Sequence, residues 1–296
     1  MPTAELAFVA PATLDEALGQ LADTEDVIVM GGGTSVGMLL KNDLIAPRKI
    51  VWLARVPELR EVTVAGDGEV VLGATVTLRE IALSDVIRQH LPSLAYAASR
   101  VGNPRVRAVA TLGGALAHSD ARQDVPPVLY ALQARVRIQG PQGSREIPVA
   151  DFHTGFMETV LAEDELVVQV VIPGVPGRRA AYGRFTPGSH DDYPTVNAAA
   201  SIARAADGSV TSAVLALGGV GSTPLLAREA ERLIGTLPGT AEVTAVAAAA
   251  VEDTSPNDDQ RGSARYKKAM AREWAARVLH ACLEPGSPTI PDLMAG

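Results

Sequence analysis

Two glycine-rich stretches are where this chain could do chemistry. The first is Gly31-Gly32-Gly33-Thr34-Ser35, which follows the apolar run Val27-Ile28-Val29-Met30 and precedes Met38-Leu39-Leu40. That order reads as a short buried strand, a tight loop and a helix start. Glycines let backbone N–H groups crowd around an anion, and the helix N-terminus behind them carries partial positive charge. Such a loop suits the pyrophosphate of a dinucleotide, although most Gly-Gly-Gly runs are only turns. The second stretch is Thr111-Leu112-Gly113-Gly114, inside a run of small residues that ends at Ala117-His118-Ser119-Asp120. Small residues admit a ligand to the backbone, and the Thr111 hydroxyl can donate to phosphate. The alternative is a tight corner between packed elements.

The other polar residues suggest less. His118, Asp120 and Asp124 fit no zinc spacing. Asp124 precedes Pro126-Pro127 and Val128-Leu129-Tyr130, so it reads as a helix N-cap, a role compatible with a ligand contact. His118 reads as a structural hydrogen-bonding residue. Arg105, Arg107 and Arg122 read as exposed, and His190-Asp191-Asp192-Tyr193 as a solvated turn. No Walker A lysine follows the first glycine loop, no G-x-G-x-x-G follows the first strand, and no Gly-x-Ser-x-Gly elbow occurs. Cys282 lies in an Ala/Leu-rich helix and reads as a buried structural thiol. As the single cysteine of the chain, it excludes an internal disulfide and an iron–sulfur cluster held by this chain alone.

These residues need a scaffold, and the bulk properties allow one. The chain has 296 residues, room for two domains, with 47% hydrophobic and 4% aromatic residues. Its core must therefore be built from Ala, Val, Leu and Ile. A net charge of −8 with no basic stripe argues against nucleic acid. Met1 to Glu5 lacks a signal-peptide pattern, and the apolar stretch Val243 to Val251 is too short to span a bilayer, so a soluble cytoplasmic protein is expected.

The elements follow in order. Thr13-Leu14-Asp15-Glu16 is a capping box ahead of Leu14, Ala17, Leu18 and Leu21 at helical spacing. The Val27–Met30 strand, a helix over Ser35–Lys41 and a strand over Ile50–Leu53 make a βαβ unit with parallel pairing. Val62, Val64, Val70 and Leu72 alternate about Gly66-Asp67-Gly68 as a hairpin. Thr77-Leu78-Arg79-Glu80 caps a helix running to about His90, Pro92 opens the next, and Gly102-Asn103-Pro104 stops it. Val136 and Ile138 pair with Ile147 and Val149 across the Gly140–Gly143 turn, and Leu166–Ile172 is a further strand. Pro173 to Arg179 has a linker's composition. Beyond it, strands over Val196–Ala203 and Val210–Leu217 flank Asp207-Gly208, and helices are expected over Ala227–Ile234, Ala241–Glu252 and Ser263–Leu283.

With these motifs in order, the sequence resembles the FAD-binding medium subunits of the molybdenum hydroxylases, the group of carbon monoxide dehydrogenase and xanthine dehydrogenase. The resemblance begins at Phe8-Val9-Ala10-Pro11-Ala12-Thr13-Leu14-Asp15-Glu16 and continues through the first glycine loop and Leu44-Ile45-Ala46-Pro47-Arg48-Lys49-Ile50-Val51. It is most specific at Val101-Gly102-Asn103-Pro104-Arg105-Val106-Arg107, running into the second glycine loop. It extends over Ala117-His118-Ser119-Asp120, Asp124, Arg184-Phe185 and Asp192-Tyr193. Ala115 stands where the family usually has Asn, and Pro194-Thr195 replaces a small apolar continuation.

The resemblance implies an α+β fold: a two-lobed, vanillyl-alcohol-oxidase-like (PCMH-type) FAD-binding domain over 1–176, with lobes of about 1–56 and 57–176. A smaller α+β domain over 177–285 would follow, with an antiparallel sheet plus helices, then a tail over 286–296. It implies non-covalent FAD contacts from Gly31, Gly32, Gly33, Thr34, Ser35, Val101, Thr111, Gly113, Gly114, Asp124, Arg184 and Tyr193. No residue of this chain would be catalytic toward the organic substrate. A molybdopterin-binding large subunit and an iron–sulfur small subunit would be partners in a dimer of heterotrimers. Electrons would pass from the partner's clusters through FAD to an external acceptor. A stand-alone flavin oxidoreductase of the same fold and a non-catalytic binding or scaffold protein are the alternatives.

Overall fold

The first glycine loop belongs to a small parallel sheet. β1 (Ala7–Val9), α1 (Leu14–Ala22), β2 (Val27–Met30), α2 (Thr34–Lys41) and β3 (Lys49–Trp52) follow in order, and the sheet runs β1-β3-β2 with both pairings parallel. The computed structural model describes residues 6–22 and 26–284, so the expected tail over 286–296 lies outside the described residues. The expected βαβ unit is present, with β1 as an added strand. Thr13 accepts the Glu16 N–H at 3.2 Å, and the Glu16 carboxylate accepts the Ala12 N–H at 2.8 Å, so the capping box closes one residue earlier than anticipated. α1 buries Ala17 and Leu21 in a core shared with Val51, Leu53, Val56 and Leu59. α2 buries nothing within this core.

The second lobe carries the second glycine loop. It comprises β4 (Val62–Val64), β5 (Val70–Gly73), α3 (Leu78–Leu83), α4 (Asp85–His90), α5 (Pro92–Arg100), α6 (Pro104–Val109), α7 (Leu112–His118), α8 (Val125–Ala131), β6 (Arg135–Gly140), β7 (Gly143–Pro148), β8 (His153–Gly155), β9 (Glu158–Thr159) and β10 (Leu166–Ile172). The main sheet runs β4-β5-β10-β6-β7, antiparallel throughout. β10 joins the lobes, because its Leu166 and Val168 enter the first lobe's core while Val170 and Ile172 enter the larger one. Two expectations change. The helix expected to run to His90 breaks at Ser84, whose side chain caps α4 by accepting the Ile87 N–H at 3.3 Å. The stretches after Asn103 and Thr111 are helices, each capped by that residue, where a stop and a loop were expected.

The remainder is β11 (Arg179–Phe185), β12 (Val196–Arg204), β13 (Val210–Gly218), β14 (Leu225–Ala227), α9 (Thr240–Ala249) and α10 (Ala264–Leu283), with an antiparallel sheet in the order β11-β12-β13-β14. The helix expected over 227–234 is a strand end followed by a 3-10 turn, Arg228–Leu233. α10 lies across β11 and β12 so closely that a Cβ on Gly183 would come within 2.6 Å of the Trp274 ring. Cys282 is buried there with its Sγ 3.5 Å from the Ala200 carbonyl, and burial pushes the thiol up to about 12, as expected of an inert structural cysteine. One hydrophobic core runs from Val70 to Leu283 through both the second lobe and this sheet. Among the described residues no helix is long and apolar enough to cross a membrane.

Candidate cofactor site

A cavity of about 610 Å³ opens between the two glycine stretches, within the range of about 300–1,000 Å³ typical of small-molecule sites. Gly31, Gly32, Gly33, Thr34, Ser35, Val101, Thr111, Gly114, Asp124 and Tyr193 line it. Gly113 and Arg184 do not. Gly113 faces the protein, donating its N–H to the Ala74 carbonyl at 2.8 Å, and Arg184 is buried behind Asp124. Val36, Met38, Leu39 and Leu44 add an apolar wall.

The glycines serve close packing of the two stretches on each other. A Cβ on Gly31 would sit 2.4 Å from the Thr111 hydroxyl oxygen, and one on Gly32 would sit 1.7 Å from the Val109 carbonyl oxygen. Gly33 has φ +76°, the left-handed region that favours glycine, and it caps α2. The indole N–H of Trp52 fixes this loop by donating to the Gly31 carbonyl at 3.0 Å.

The amides differ between the two stretches. α2 has no side-chain cap, and its first helical bond is Gly37 N–H to the Gly33 carbonyl. The N–H groups of Thr34, Ser35 and Val36 therefore have no partner among the described residues, and all three residues line the cavity. In α7 the corresponding donors are spent. Leu112 N–H goes to the Val76 carbonyl, Gly113 N–H to Ala74, and Gly114 N–H to the Thr111 hydroxyl at 3.2 Å. Thr111 thus accepts through its oxygen and keeps its O–H proton free to donate, while Gly114 is exposed at the rim.

The opposite wall is acidic and anchored from β11. Asp124 stands at the N-cap position of α8 as expected, but in helical conformation and without a side-chain capping bond. Its carboxylate accepts the Tyr182 hydroxyl at 2.5 Å and pairs with the Arg184 guanidinium at 3.2 Å. Arg184 also donates to the carbonyls of Arg100 and Asp192. One buried arginine therefore ties α5, α8 and the 191–193 segment together. Burial pushes the Asp124 carboxyl above its ordinary value, with Arg184 and Tyr182 opposing the shift.

The 190–193 segment, read as a solvated turn, contributes Asp191, Asp192 and Tyr193 to the cavity. Arg122 lies 5.8 Å from the centre of the Tyr193 ring and is held by Asp120 at 3.2 Å. His118 also lines the cavity, and its ring has no hydrogen-bond partner among the described residues, contrary to the structural role expected. Burial lowers its basicity, and Asp120 opposes that shift. Met157, at φ +58° in the β8–β9 turn, reaches the same wall because Ser119 grips that turn through the carbonyls of Gly155 and Glu158. No local signal marked Met157, since only the tertiary pairing brings it there.

Comparison with known proteins fits this geometry. Residues 4–175 match the family described as the FAD binding domain in molybdopterin dehydrogenase, and residues 181–282 match the CO dehydrogenase flavoprotein C-terminal domain. The 6-hydroxypseudooxynicotine dehydrogenase complex subunit alpha of Paenarthrobacter nicotinovorans is 33% identical, covering 95% of this chain and 96% of that subunit. The carbon monoxide dehydrogenase medium chain of Hydrogenophaga pseudoflava is 33% identical, covering 93% and 96%. A solved carbon monoxide dehydrogenase from the same organism, lacking the Mo-pyranopterin moiety of its cofactor, superposes with a TM-score of 0.90 at 32% identity, over 95% of this chain and 98% of that one. The α+β, two-lobed architecture with a smaller C-terminal sheet-and-helix unit is thus the architecture of these relatives. The chain belongs to the molybdopterin-dehydrogenase FAD-binding family, in its form with a CO dehydrogenase flavoprotein C-terminal domain.

Proposed function

We propose that the chain is the FAD-carrying electron-transfer subunit of a molybdenum hydroxylase, with FAD in the 610 Å³ cavity. The observation that carries this reading is the trio of unpaired N–H groups at the N-terminus of α2, facing a cavity that the family's glycine motif lines. Three converging amides and a helix dipole suit a pyrophosphate. Thr111 adds a hydroxyl proton, Gly114 leaves room, and the apolar wall from α2 suits a planar ring. Asp124 and Tyr193 on the far wall would orient the other end of the cofactor. When bound, FAD supplies the redox chemistry, and the chain binds, orients and shields it. Gly113 and Arg184 act behind the wall, Gly113 by allowing close packing and Arg184 by holding Asp124 and the 191–193 segment.

The names of the relatives, a medium chain and a complex subunit alpha, support a multi-subunit assembly. The proposed partners are a molybdopterin-binding large subunit and an iron–sulfur small subunit in a cytoplasmic dimer of heterotrimers. The proposed division of the chain is a FAD-binding domain over 1–176 and a C-terminal domain over 177–285. Purification of the native complex tests the reading. Two further chains should co-migrate with this one, and flavin absorbance should bleach when substrate is added. A complex without flavin, or a chain that migrates alone with its own substrate turnover, would overturn it.

A further inference from the structure

The first cavity meets the C-terminal end of α5 at Val101 and Gly102, and a second one lies at the N-terminal end of that helix. It measures about 170 Å³ and lies where the end of α4, the start of α5 and the Arg178-Arg179 pair at the start of β11 meet. Room for a tetrahedral anion with water is sufficient there, since each water occupies about 30 Å³. Three basic side chains line it, His90, Arg178 and Arg179, and among the described residues no carboxylate does.

Three further features of the wall suit an anion. At the start of α5 Pro92 has no N–H and the Leu94 N–H bonds the Leu91 carbonyl at 3.0 Å, so the Ser93 N–H is the one first-turn amide without a partner among the described residues. Ser93, in the first turn of that helix, is 1% exposed and lines the cavity, and its hydroxyl has no hydrogen-bond partner among the described residues. A buried hydroxyl without a partner costs free energy that a bound acceptor would recover. The arginines are held in place by single contacts: Arg178 to the Leu132 carbonyl at 3.1 Å and Arg179 to the Ala281 carbonyl at 3.4 Å. Each guanidinium has five N–H donors, so both keep donors to spare.

We propose that this cavity is a second ligand site that binds a phosphate group, either free inorganic phosphate or the phosphate of a nucleotide. A bound phosphate would take the Ser93 hydroxyl proton and N–H and receive charge-assisted bonds from Arg178 and Arg179. It would join α5 of the FAD-binding part to β11 of the C-terminal part. The inference does not depend on the flavin reading, because none of the donors belongs to the larger cavity.

Equilibrium dialysis of the native flavin-loaded protein against labelled inorganic phosphate tests it, with ADP as competitor. One saturable equivalent per chain is expected. Ser93→Ala should weaken binding about tenfold, as loss of one hydrogen bond to a charged group does. The same variant should leave the melting temperature in phosphate-free buffer unchanged or higher, because it removes an unsatisfied buried hydroxyl. Arg178→Gln should weaken binding at least as much, and Arg178→Lys should fall between it and the wild type. Displacement by ADP at lower concentration than phosphate itself assigns the site to a nucleotide, and its failure to displace assigns free phosphate. Flavin absorbance should be the same in all variants, which separates this site from the larger one. Absence of saturable binding, or equal binding in wild type and Ser93→Ala, would overturn the proposal.

Discussion

Gly32 and Gly114 stand in matching motifs but answer to different constraints, and substitutions separate them. A Cβ at Gly32 meets backbone at 1.7 Å, so even Gly32→Ala must push the two lobes apart. It is expected to destabilise the fold by about 3 kcal/mol or more, seen in urea unfolding, whether or not flavin is present. Gly114 is exposed, and its Cβ would meet only the Thr111 hydroxyl at 2.8 Å. Gly114→Asp should therefore stay folded while placing a carboxylate beside the proposed phosphates, weakening FAD about thirtyfold, or about 2 kcal/mol at an effective dielectric near 20. A folded Gly114→Asp with full flavin occupancy would show that the second stretch does not face the cofactor. Arg184 gives a prediction of another kind. Arg184→Met leaves the buried Asp124 carboxylate without its cation, at a cost of about 3–5 kcal/mol near neutral pH. Burial raises the Asp124 pKa in the folded state, and losing Arg184 raises it further. The folded chain then binds the proton more tightly than the unfolded one, so stability falls as pH rises from the unfolded value of about 3.9 through the folded one. The variant's deficit in urea unfolding should accordingly shrink in mildly acidic buffer.

The elements explain why the second glycine stretch holds its place. Thr77 accepts the Glu80 N–H, Glu80 accepts the Thr77 N–H at 2.8 Å, and the neighbouring backbone pairs across, Leu78 N–H to Ala110 and Leu112 N–H to Val76. Thr77→Ala removes the cap and should cost about 1 kcal/mol in thermal unfolding. It should also loosen FAD, because the cap and the stretch share one bridge between Thr77 and Thr111. That capping box was legible in the sequence because both partners lie within three residues. So were the βαβ unit and the hairpins, whose apolar periods and turn residues are local. α6 and α7 were not legible. They have six and seven residues, carry Pro or Gly-Gly, and are too short for a helical period, so tertiary bonds hold them. The partner of the Asp124 side chain was hidden for the same reason: Tyr182 lies 58 positions along the chain, in a strand that local pattern did not mark. The glycine motifs located two stretches that line the larger cavity, while the division of labour between free amides at α2 and spent amides at α7 depends on pairing that no spacing reveals.

At the scale of the molecule, the cavity lies between two cores of very different size. The first lobe has a small core of its own, β2 has no fully buried residue, and α2 buries none. The second lobe and the C-terminal sheet share one large core from Val70 to Leu283. Local opening should therefore be easiest in the first lobe, where few apolar contacts resist it. That same lobe carries the only first-turn amides along the cavity's glycine stretches that remain free among the described residues. A ligand that needs Thr34, Ser35 and Val36 in place binds only the closed lobe, and it stabilises that state by about 2.7 kcal/mol at a hundredfold excess over Kd. Hydrogen exchange with and without FAD should show this directly. Amides of Val27–Met30, Thr34–Lys41 and Lys49–Trp52 should gain protection of about a hundredfold, whereas those of Val196–Arg204 and Val210–Gly218 should hardly change. Equal gains in both regions would mean that the chain opens as one unit and that the first lobe is no weaker than the rest. Gains confined to the C-terminal sheet would place the cofactor away from α2 altogether.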